Sequence, residues 1–178
     1  MIDATLLISE LKAAIRDIPD FPRIGVSFKD ITPVLGNGTL FQRAVAQMAE
    51  VCKREQIAKV AAVEARGFIF GAAMASFLGI GFTPIRKKGK LPFRTRTTHY
   101  SLEYGSGELE SHEDAFLTGE RISIVDDVLA TGGTACAAAR LVKASGANVI
   151  ITQCFVELSL LRGRYALAPL PVFSLIQF

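Results

Sequence analysis

The spacing of apolar residues along the chain first predicts an amphipathic helix. Its buried face would be formed by Leu6, Leu7, Leu11, Ala14, Ile15 and Ile18, and Pro19 would end it. Residues 19–38 lack such spacing and predict a loop. Helical spacing resumes in TLFQRAVAQMAEVCKRE, residues 39–55, which predicts a second helix.

Downstream of residue 55, short apolar runs alternate with helical patterns. The runs that predict strands are KVAAVEA, FTPIRK, RISIVDD and NVIITQCFVEL, at residues 59–65, 82–87, 121–127 and 148–158. The segments that predict helices are residues 67–78 and 134–145, and Gly146 would end the second of them. Strands that alternate with helices predict a largely parallel sheet in an α/β fold. Glu64, at the charged end of an apolar run, is expected at an edge of that sheet.

The segment at residues 89–119 interrupts this alternation. It is polar, rich in Gly, Thr and Ser, and too long for an ordinary connection. We expect either a mobile loop or a hairpin there. Because the sequence has no internal repeat or linker, residues 1–178 are expected to form a single domain.

Composition narrows the class of protein further. The longest uncharged apolar stretch, residues 71–84, is too short and too rich in glycine to cross a bilayer, which requires about 20 apolar residues. The N-terminal residues lack the basic and apolar regions of an export signal. Cys52, Cys136 and Cys154 are widely spaced and odd in number, without a CxxC pair, which favours reduced thiols in the cytoplasm.

Basic residues are concentrated in one part of a chain whose net charge is only +3. Six of them fall close together, namely Arg86, Lys87, Lys88, Lys90, Arg94 and Arg96. Such a cluster predicts a local anion-binding surface. Nucleic-acid binding is not expected, because no aromatic residues are interleaved with the cluster and the rest of the chain is nearly neutral. A solvated rim remains the alternative for Lys88, Arg94 and Arg96.

The stretch IVDDVLATGGTA, residues 124–135, predicts a binding site for a sugar phosphate. A parallel strand would deliver Asp126 and Asp127 to the carboxyl edge of the sheet, where ligands of open α/β folds bind. Residues 130–134 can then turn closely around an anion, because glycine tolerates unusual dihedrals and the next helix presents free N–H groups. The two carboxylates would accept hydrogen bonds from sugar hydroxyls on the same ligand.

Two other sites with similar sequences are excluded. An ATP-binding loop of the form GxxxxGK[ST] requires a lysine after the glycines, and this chain has none there. A receiver-type pocket that binds Mg²⁺ beside a phospho-accepting aspartate would carry its acidic pair near the start of the chain. Either half of the stretch alone could be a simple strand end or turn, but both halves together favour the phosphate site.

The same stretch resembles the phosphoribosyl-pyrophosphate (PRPP) signature of the type I phosphoribosyltransferases. Similarity to the adenine-specific members of this family covers nearly the whole chain, in DFPRIGVSFKDITPVL, VEARGFIFG, IRKKGKLP, YSLEYGSGELE, FVELSLLRGRYAL and FSLIQF. The resemblance implies a twisted, mainly parallel sheet flanked by helices. It also implies a small N-terminal hood at about residues 19–38, a flexible catalytic loop at about residues 89–119, and a homodimer.

The implied reaction joins adenine to PRPP and gives AMP and pyrophosphate, as in purine salvage. Mg²⁺ would be chelated by oxygens of PRPP rather than bound directly by the protein. A transferase for the 6-oxopurines hypoxanthine or guanine is the first alternative, but it would carry a lysine in a C-terminal hood where this chain has VELSLLRG. A non-catalytic regulator that senses PRPP is the second, and it would bring an added nucleic-acid-binding module.

The resemblance also assigns roles to residues around PRPP. Asp126 and Asp127 would hold the ribose hydroxyls, and the 5′-phosphate would lie against Ala130, Thr131, Gly132, Gly133 and Thr134. The pyrophosphate loop would be Glu64, Ala65, Arg66 and Gly67, with a strained or cis peptide and with Arg66 as its main cation. Arg86, Lys87 and Lys90 would also reach pyrophosphate, partly from a neighbouring subunit. Cations there would stabilise the charge that builds on the leaving group.

The remaining assignments concern the base. Val26, Ser27, Phe28 and Lys29 match the hood segment that binds adenine, with Phe28 stacked on the ring and Leu158 on its other side. Lys29 occupies a position often taken by arginine, whose fork of donors it cannot reproduce. Glu103 would hold or exchange the proton at N7 of adenine, and Tyr104 would help seal the site. His99 receives no role.

Overall fold

The computed structural model describes residues 4–102 and 105–178, which form two compact units. One unit ends at Gln47 and the other begins at Met48. The helix α3, Gly38–Arg54, contains the boundary between them. No helix in the described part of the chain is long and apolar enough to cross a membrane.

The first unit is built from short elements. They are α1 (Ala4–Ala14), β1 (Arg16–Ile18), β2 (Phe28–Asp30) and α2 (Thr32–Gly36), followed by the start of α3. Strands β1 and β2 pair antiparallel, with Arg16 opposite Asp30 and their side chains 2.8 Å apart in an ion pair.

Two predictions for this unit are wrong. The first helix ends at Ala14 rather than at Pro19, and residues 19–38 contain β2 and α2 rather than only a loop. Ile18 suits a helical face and a strand equally well, so its apolar side chain did not distinguish them. The pairing with β2, which involves residues ten to fourteen positions away, decides in favour of the strand.

The second unit contains a seven-stranded sheet in the order β5-β6-β4-β3-β7-β8-β9. Its strands are β3 (Lys59–Val63), β4 (Gly81–Lys87), β5 (Thr95–Leu102), β6 (Gly105–His112), β7 (Arg121–Leu129), β8 (Asn148–Glu157) and β9 (Val172–Gln177). Its helices are α4 (Arg66–Leu78), α5 (Gly133–Ala144), α6 (Gly163–Leu167) and the short 3₁₀ helix Ser159–Leu161. Five neighbouring strands of this sheet, β4, β3, β7, β8 and β9, pair in parallel, which confirms the predicted α/β class.

Small residues allow the helices to lie close to the sheet. Buried alanines on α5, such as Ala137 and Ala138, pack in one cluster with Ile122 and Ile124 of β7. On α4, a Cβ at Gly71 would come within 2.5 Å of Ala62 on β3. Each helix begins at the carboxyl end of the strand that precedes it, α4 at the end of β3 and α5 at the end of β7.

Within residues 89–119, β5 and β6 pair as the two strands of a hairpin, one of the two predicted forms. Strand β5 pairs antiparallel with β6 from Thr95 opposite His112 to Leu102 opposite Gly105. The hairpin joins the sheet through β6 and β4, where Arg86 is opposite Glu110. Glu103 and Tyr104 lie outside the described residues.

Candidate active site

The two aspartates lie beside the end of a neighbouring strand rather than at the end of their own. Strand β7 continues past them to Leu129, whose partner on β8 is Glu157. On the other side, the pairing with β3 stops at Ala62 opposite Val125. Asp126 and Asp127 therefore occupy the sheet edge that the shorter β3 leaves open.

The two carboxylates have different surroundings. Asp126 lines a cavity of about 320 Å³, and its Oδ1 accepts a hydrogen bond of 2.9 Å from the backbone N–H of Asp127. Burial raises the pKa of Asp126 well above its usual value, and the neighbouring charge of Asp127 raises it further. Asp127 is only 5% exposed and forms an ion pair with the guanidinium of Arg66.

The same cavity is lined by the whole 130–134 loop, which leads into α5. Gly132 has a φ of +87°, a left-handed conformation that favours glycine. Its carbonyl accepts the first bond of α5, from the N–H of Cys136 at 2.9 Å. The free N–H groups at the start of α5 thus face the cavity that Asp126 borders.

Helix α6 packs against the 130–134 loop, a contact that the sequence did not predict. Helix α6 begins at Gly163, where a Cβ would come within 2.2 Å of the carbonyl oxygen of Ala130. A Cβ at Gly132 would in turn come within 2.6 Å of the carbonyl oxygen of Gly163. Gly132 and Gly163 therefore allow the backbone of the loop to pack directly against the backbone of α6. In the sequence, only the segment LRGRY indicated this contact.

Helix α6 is held in place by an ion pair between the half-buried Arg164 and the buried Glu157. Arg164 Nε and Nη2 donate to the two carboxylate oxygens of Glu157 at 3.1 and 2.6 Å, and Nη2 also donates to Ser174 Oγ at 2.7 Å. Burial alone would raise the pKa of Glu157, but the hydrogen bonds from Arg164 and Ser174 outweigh it and the pKa is lowered. Glu157 lies on β8, Arg164 on α6 and Ser174 on β9, so these hydrogen bonds connect the three elements next to the 130–134 loop.

The lowered pKa of Glu157 predicts a pH-dependent contribution to stability. A carboxylate whose pKa is lower in the folded protein stabilises the fold fully above its unfolded value, near 4.5, and ceases to do so as the pH falls through the folded value. We expect Glu157→Gln to lower the free energy of unfolding by about 2 kcal/mol at pH 7. Urea denaturation of both proteins should show this difference narrowing below pH 4.5. A difference independent of pH would contradict the assigned ion pair.

The 64–67 loop approaches β7 from the other side. The Glu64–Ala65 peptide bond is cis, as the resemblance implies, and α4 begins with Arg66. A Cβ at Gly67 would come within 2.9 Å of the Val125 carbonyl oxygen and 3.0 Å of Asp126 Oδ1. Glycine at this position therefore lets the start of α4 contact the acidic pair.

Glu64 connects this loop to the basic cluster. Arg86 Nε and Nη2 donate to its carboxylate at 3.2 and 3.0 Å, and the backbone N–H of Lys87 donates at 3.2 Å. The Arg86 hydrogen bonds are the main reason that the pKa of Glu64 is lowered. Arg86 also donates to the carbonyl oxygen of Lys90 at 2.8 Å, which places three of the four predicted pyrophosphate cations next to one carboxylate.

Other members of the basic cluster contact neighbouring structure. Lys88 pairs with Glu108 on β6 at 3.0 Å, and His99 Nε2 lies 3.2 Å from the same carboxylate. Arg96 donates to the carbonyl oxygen of Ala144 at the end of α5, at 2.6 Å. Arg94 accepts a backbone hydrogen bond of 3.0 Å from Glu113. These contacts place them in or beside the hairpin.

The residues predicted to bind adenine fall into two groups. Within the first unit, the ring of Phe28 lies 5.2 Å from that of Phe21, edge to face, and Lys29 forms an ion pair with Asp17. Ser27 donates to Asp17 at 3.4 Å, and Val26 accepts a backbone bond from Phe21.

Leu158 belongs to the second unit and follows β8. Its N–H donates to the Leu129 carbonyl oxygen at 2.9 Å, which fixes it beside the end of β7. The predicted catalytic residues Glu103 and Tyr104 lie outside residues 4–102 and 105–178. Within those ranges, no group of three or more His, Cys, Asp or Glu side chains could hold a metal ion.

The chain is similar in sequence and fold to known enzymes. A family model of the phosphoribosyl transferase domain matches residues 35–167. Adenine phosphoribosyltransferase of Methylacidiphilum infernorum is 52% identical over 96% of both chains. The crystal structure of adenine phosphoribosyltransferase from Thermoanaerobacter pseudethanolicus is 48% identical, with a TM-score of 0.93 over 96% of this chain and 99% of that one. The enzyme from Saccharomyces cerevisiae, crystallised with D-2,5-dideoxy-2,5-imino-altritol 1,6-bisphosphate and adenine, is 38% identical, with a TM-score of 0.90 over 96% of this chain and 99% of that one.

Proposed function

Because the chain belongs to the adenine phosphoribosyltransferase family, we propose that its cavity at β7 is the site of the family's reaction. The protein transfers the 5-phosphoribosyl group from PRPP to adenine and gives AMP in purine salvage. The observation that carries the site assignment is that Asp126 and the entire 130–134 loop line one cavity. That cavity offers acceptors for sugar hydroxyls next to donors for a phosphate.

The 130–134 loop binds the 5′-phosphate of PRPP. Backbone N–H groups near the start of α5 and the hydroxyls of Thr131 and Thr134 donate to its oxygens. Asp126 and Asp127 accept hydrogen bonds from the ribose hydroxyls. Burial raises the pKa of Asp126, so bound hydroxyl donors help to stabilise its charged form.

Cations on the opposite side of the ribose stabilise the leaving group. As the bond from C1′ to pyrophosphate breaks, negative charge builds on pyrophosphate and positive charge on the sugar ring. Arg86 pairs with Glu64 beside Lys87 and Lys90, and Arg66 pairs with Asp127. Together these four residues provide the positive field. Asp126 and Asp127 lie on the sugar side of the same edge, where they stabilise the developing cation.

Mg²⁺ accompanies PRPP in this proposal. The carboxylate oxygens that border the cavity are hard donors that suit this ion, and it would be held mainly by pyrophosphate and ribose oxygens and by water. When bound, it neutralises part of the pyrophosphate charge. Arg66, Arg86 and the lysines orient the pyrophosphate group, while the 130–134 loop holds the opposite end of the substrate.

Adenine is bound by the residues that match the family's base-binding positions. Val26, Ser27, Phe28 and Lys29 contact one side of the base, and Leu158 packs on the other. Glu103 holds the proton at N7, and Tyr104 helps to exclude water from the reacting ribose. We further propose that the enzyme is a cytoplasmic homodimer in which the basic cluster is shared between subunits.

Product analysis tests the choice of base. The purified protein is incubated with PRPP and Mg²⁺ and with adenine, guanine, hypoxanthine or xanthine in separate reactions. We expect AMP from adenine and at most traces of product from the 6-oxopurines, because a site that reads an exocyclic amino group leaves its polar groups unpaired against an oxygen. Preference for a 6-oxopurine, or PRPP binding without any nucleotide product, would contradict the proposal.

A further inference from the structure

Glu110 is a buried carboxylate on β6 whose hydrogen-bond donors lie in the basic cluster. It is only 3% exposed, and its partner on β4 is Arg86. Its Oε1 accepts two hydrogen bonds of 2.8 Å, from the backbone N–H groups of Lys90 and Leu91. Burial alone would raise the pKa of Glu110, but hydrogen bonds from backbone N–H groups of this turn outweigh it and the pKa is lowered. The side chain is therefore a charged acceptor at neutral pH.

The turn that follows β4 is fixed by hydrogen bonds from two sides. The backbone N–H of Lys88 donates to the carbonyl oxygen of Glu108 at 3.2 Å, and Glu110 accepts the next two bonds from the turn. The carbonyl oxygen of Lys90 accepts a bond of 2.8 Å from Arg86 Nη1. Both backbone polar groups of Lys90 are thus bonded, its N–H to Glu110 and its carbonyl to Arg86.

Packing contributes little to the shape of this turn. Lys88, Gly89 and Lys90 are exposed, and a Cβ at Gly89, whose φ is +80°, would meet nothing within 4 Å. A lysine carries its charge on a flexible four-carbon stem, so the region that its ammonium can reach depends on where its backbone is fixed. The hydrogen bonds to Glu110 and Arg86 therefore determine where the Lys90 side chain begins.

We propose that Glu110 is a positioning residue that fixes the backbone of Lys90 so that the lysine side chain reaches pyrophosphate. This inference rests on the proposed function, which places pyrophosphate at the basic cluster. Arg86 belongs to the same arrangement, because its Nε and Nη2 donate to the carboxylate of Glu64 at 3.2 and 3.0 Å. A chain of hydrogen bonds thus runs from Glu110 through Lys90 and Arg86 to the 64–67 loop.

A carboxylate suits this position better than a neutral acceptor. One carboxylate oxygen can accept two N–H donors, and hydrogen bonds to a charged acceptor are the stronger ones. Because Glu110 bonds to the backbone of Lys90, the contact does not occupy the ammonium group of the lysine. The negative charge is buried under the turn, and the positive charge stays on its exposed side chain.

A comparison of PRPP with AMP separates this role from simple structural support. AMP carries the base, the ribose and the 5′-phosphate but no pyrophosphate, so a residue that acts on pyrophosphate should change PRPP binding alone. Calorimetry with PRPP and Mg²⁺, and separately with AMP, is performed on the wild type, Glu110→Gln, Glu110→Ala, Lys90→Ala and the double variant with both alanines. Glu108→Gln, the same chemical change at a side chain that pairs with Lys88 on β4's following turn, serves as the matched control.

We expect Lys90→Ala to weaken PRPP binding about tenfold, the order of one charge-assisted contact, with AMP binding unchanged. Glu110→Ala should weaken PRPP binding about fivefold, and Glu110→Gln, which keeps an oxygen acceptor, about threefold. Neither should change AMP binding. In the Lys90→Ala background, Glu110→Ala should have no further effect, and the control should bind both ligands as the wild type does.

Each contrary result identifies which assignment is wrong. If Lys90→Ala folds and binds PRPP as the wild type does, Lys90 does not contact pyrophosphate, and this part of the proposed function is wrong together with the positioning role. If Lys90→Ala weakens PRPP binding but the Glu110 variants do not, or if the two effects simply add, the positioning role alone is wrong.

Equal losses of PRPP and AMP affinity in the Glu110 variants would show that the residue only supports the fold. Thermal denaturation of every variant confirms that the compared proteins are folded. If Glu110→Ala does not fold, Glu110→Gln and its double variant with Lys90→Ala decide the question, because the same loss confined to PRPP is expected of them.

Discussion

PRPP affinity should fall about 100-fold when alanine replaces Gly132. The residue has a φ of +87°, and a Cβ would come within 2.6 Å of the Gly163 carbonyl oxygen. Because α6 is fixed by the Arg164–Glu157 pair, the 130–134 loop must shift instead, and its N–H groups then no longer converge on one phosphate. We expect PRPP affinity, measured by calorimetry, to fall about 100-fold, equivalent to ~2.7 kcal/mol.

Gly79→Ala provides the matched control for this experiment. Gly79 also has a positive φ, +67°, but a Cβ there meets nothing within 4 Å, and it lies at the other end of α4 from the site. Both variants should lose about 1 kcal/mol of stability from the left-handed conformation alone. Only Gly132→Ala should weaken PRPP binding, and equal affinities in the two folded variants would exclude the loop as the phosphate site.

Turnover should fall by roughly 10²-fold to 10⁴-fold in Glu103→Gln, the range usual for a general acid or base. Transfer to N9 of adenine requires a proton to be relocated on the imidazole ring, and glutamine keeps the size of glutamate but cannot exchange a proton in the same way. PRPP affinity should barely change, because the carboxylate acts on the base.

Steady-state kinetics and direct PRPP binding test this second expectation together. Glu113→Gln, an exposed glutamate elsewhere in residues 89–119, makes the same chemical change and should leave turnover unaltered. Near-normal turnover in Glu103→Gln would remove its catalytic role. Loss of PRPP affinity would show instead that the residue supports the structure of the loop.

Much of the sheet could be predicted because its signals are local. Apolar runs and helical spacing indicated β3, α4, β4, β7, α5 and β8 within a few residues of their observed bounds. Gly146, with a φ of +83°, follows the end of α5 as predicted. The elements that the sequence did not predict are short: β1 and β2 have three residues each, and α6 has five. Such segments carry too few residues for a period to be recognised.

The cavity lining was predictable where its residues are adjacent in the chain. Asp126, Asp127 and residues 130–134 form one continuous motif, and the structure places Asp126 and the 130–134 loop around one cavity, with Asp127 next to Asp126. The supports of that motif come from distant positions: Gly163 lies 33 residues after Ala130, and Arg164 beside it pairs with Glu157 on β8. Their roles depend on tertiary contacts, which no local pattern encodes.

Arg66 shows how the structure refines a sequence assignment. From the motif, it was expected only to face pyrophosphate. In the structure, its guanidinium pairs with Asp127, so the cation predicted for pyrophosphate is in contact with a carboxylate predicted for the ribose. We expect this pair to set the position of both groups before PRPP binds, since each ion restricts the other's rotamers.

A crystal structure of the protein with AMP tests the central claim most directly. The account predicts the 5′-phosphate within hydrogen-bonding distance of the backbone N–H groups of the 130–134 loop and of the Thr134 hydroxyl. It also predicts the ribose hydroxyls at the carboxylates of Asp126 and Asp127. A nucleotide bound with its phosphate at the basic cluster around Arg86, or with its ribose away from both aspartates, would contradict it.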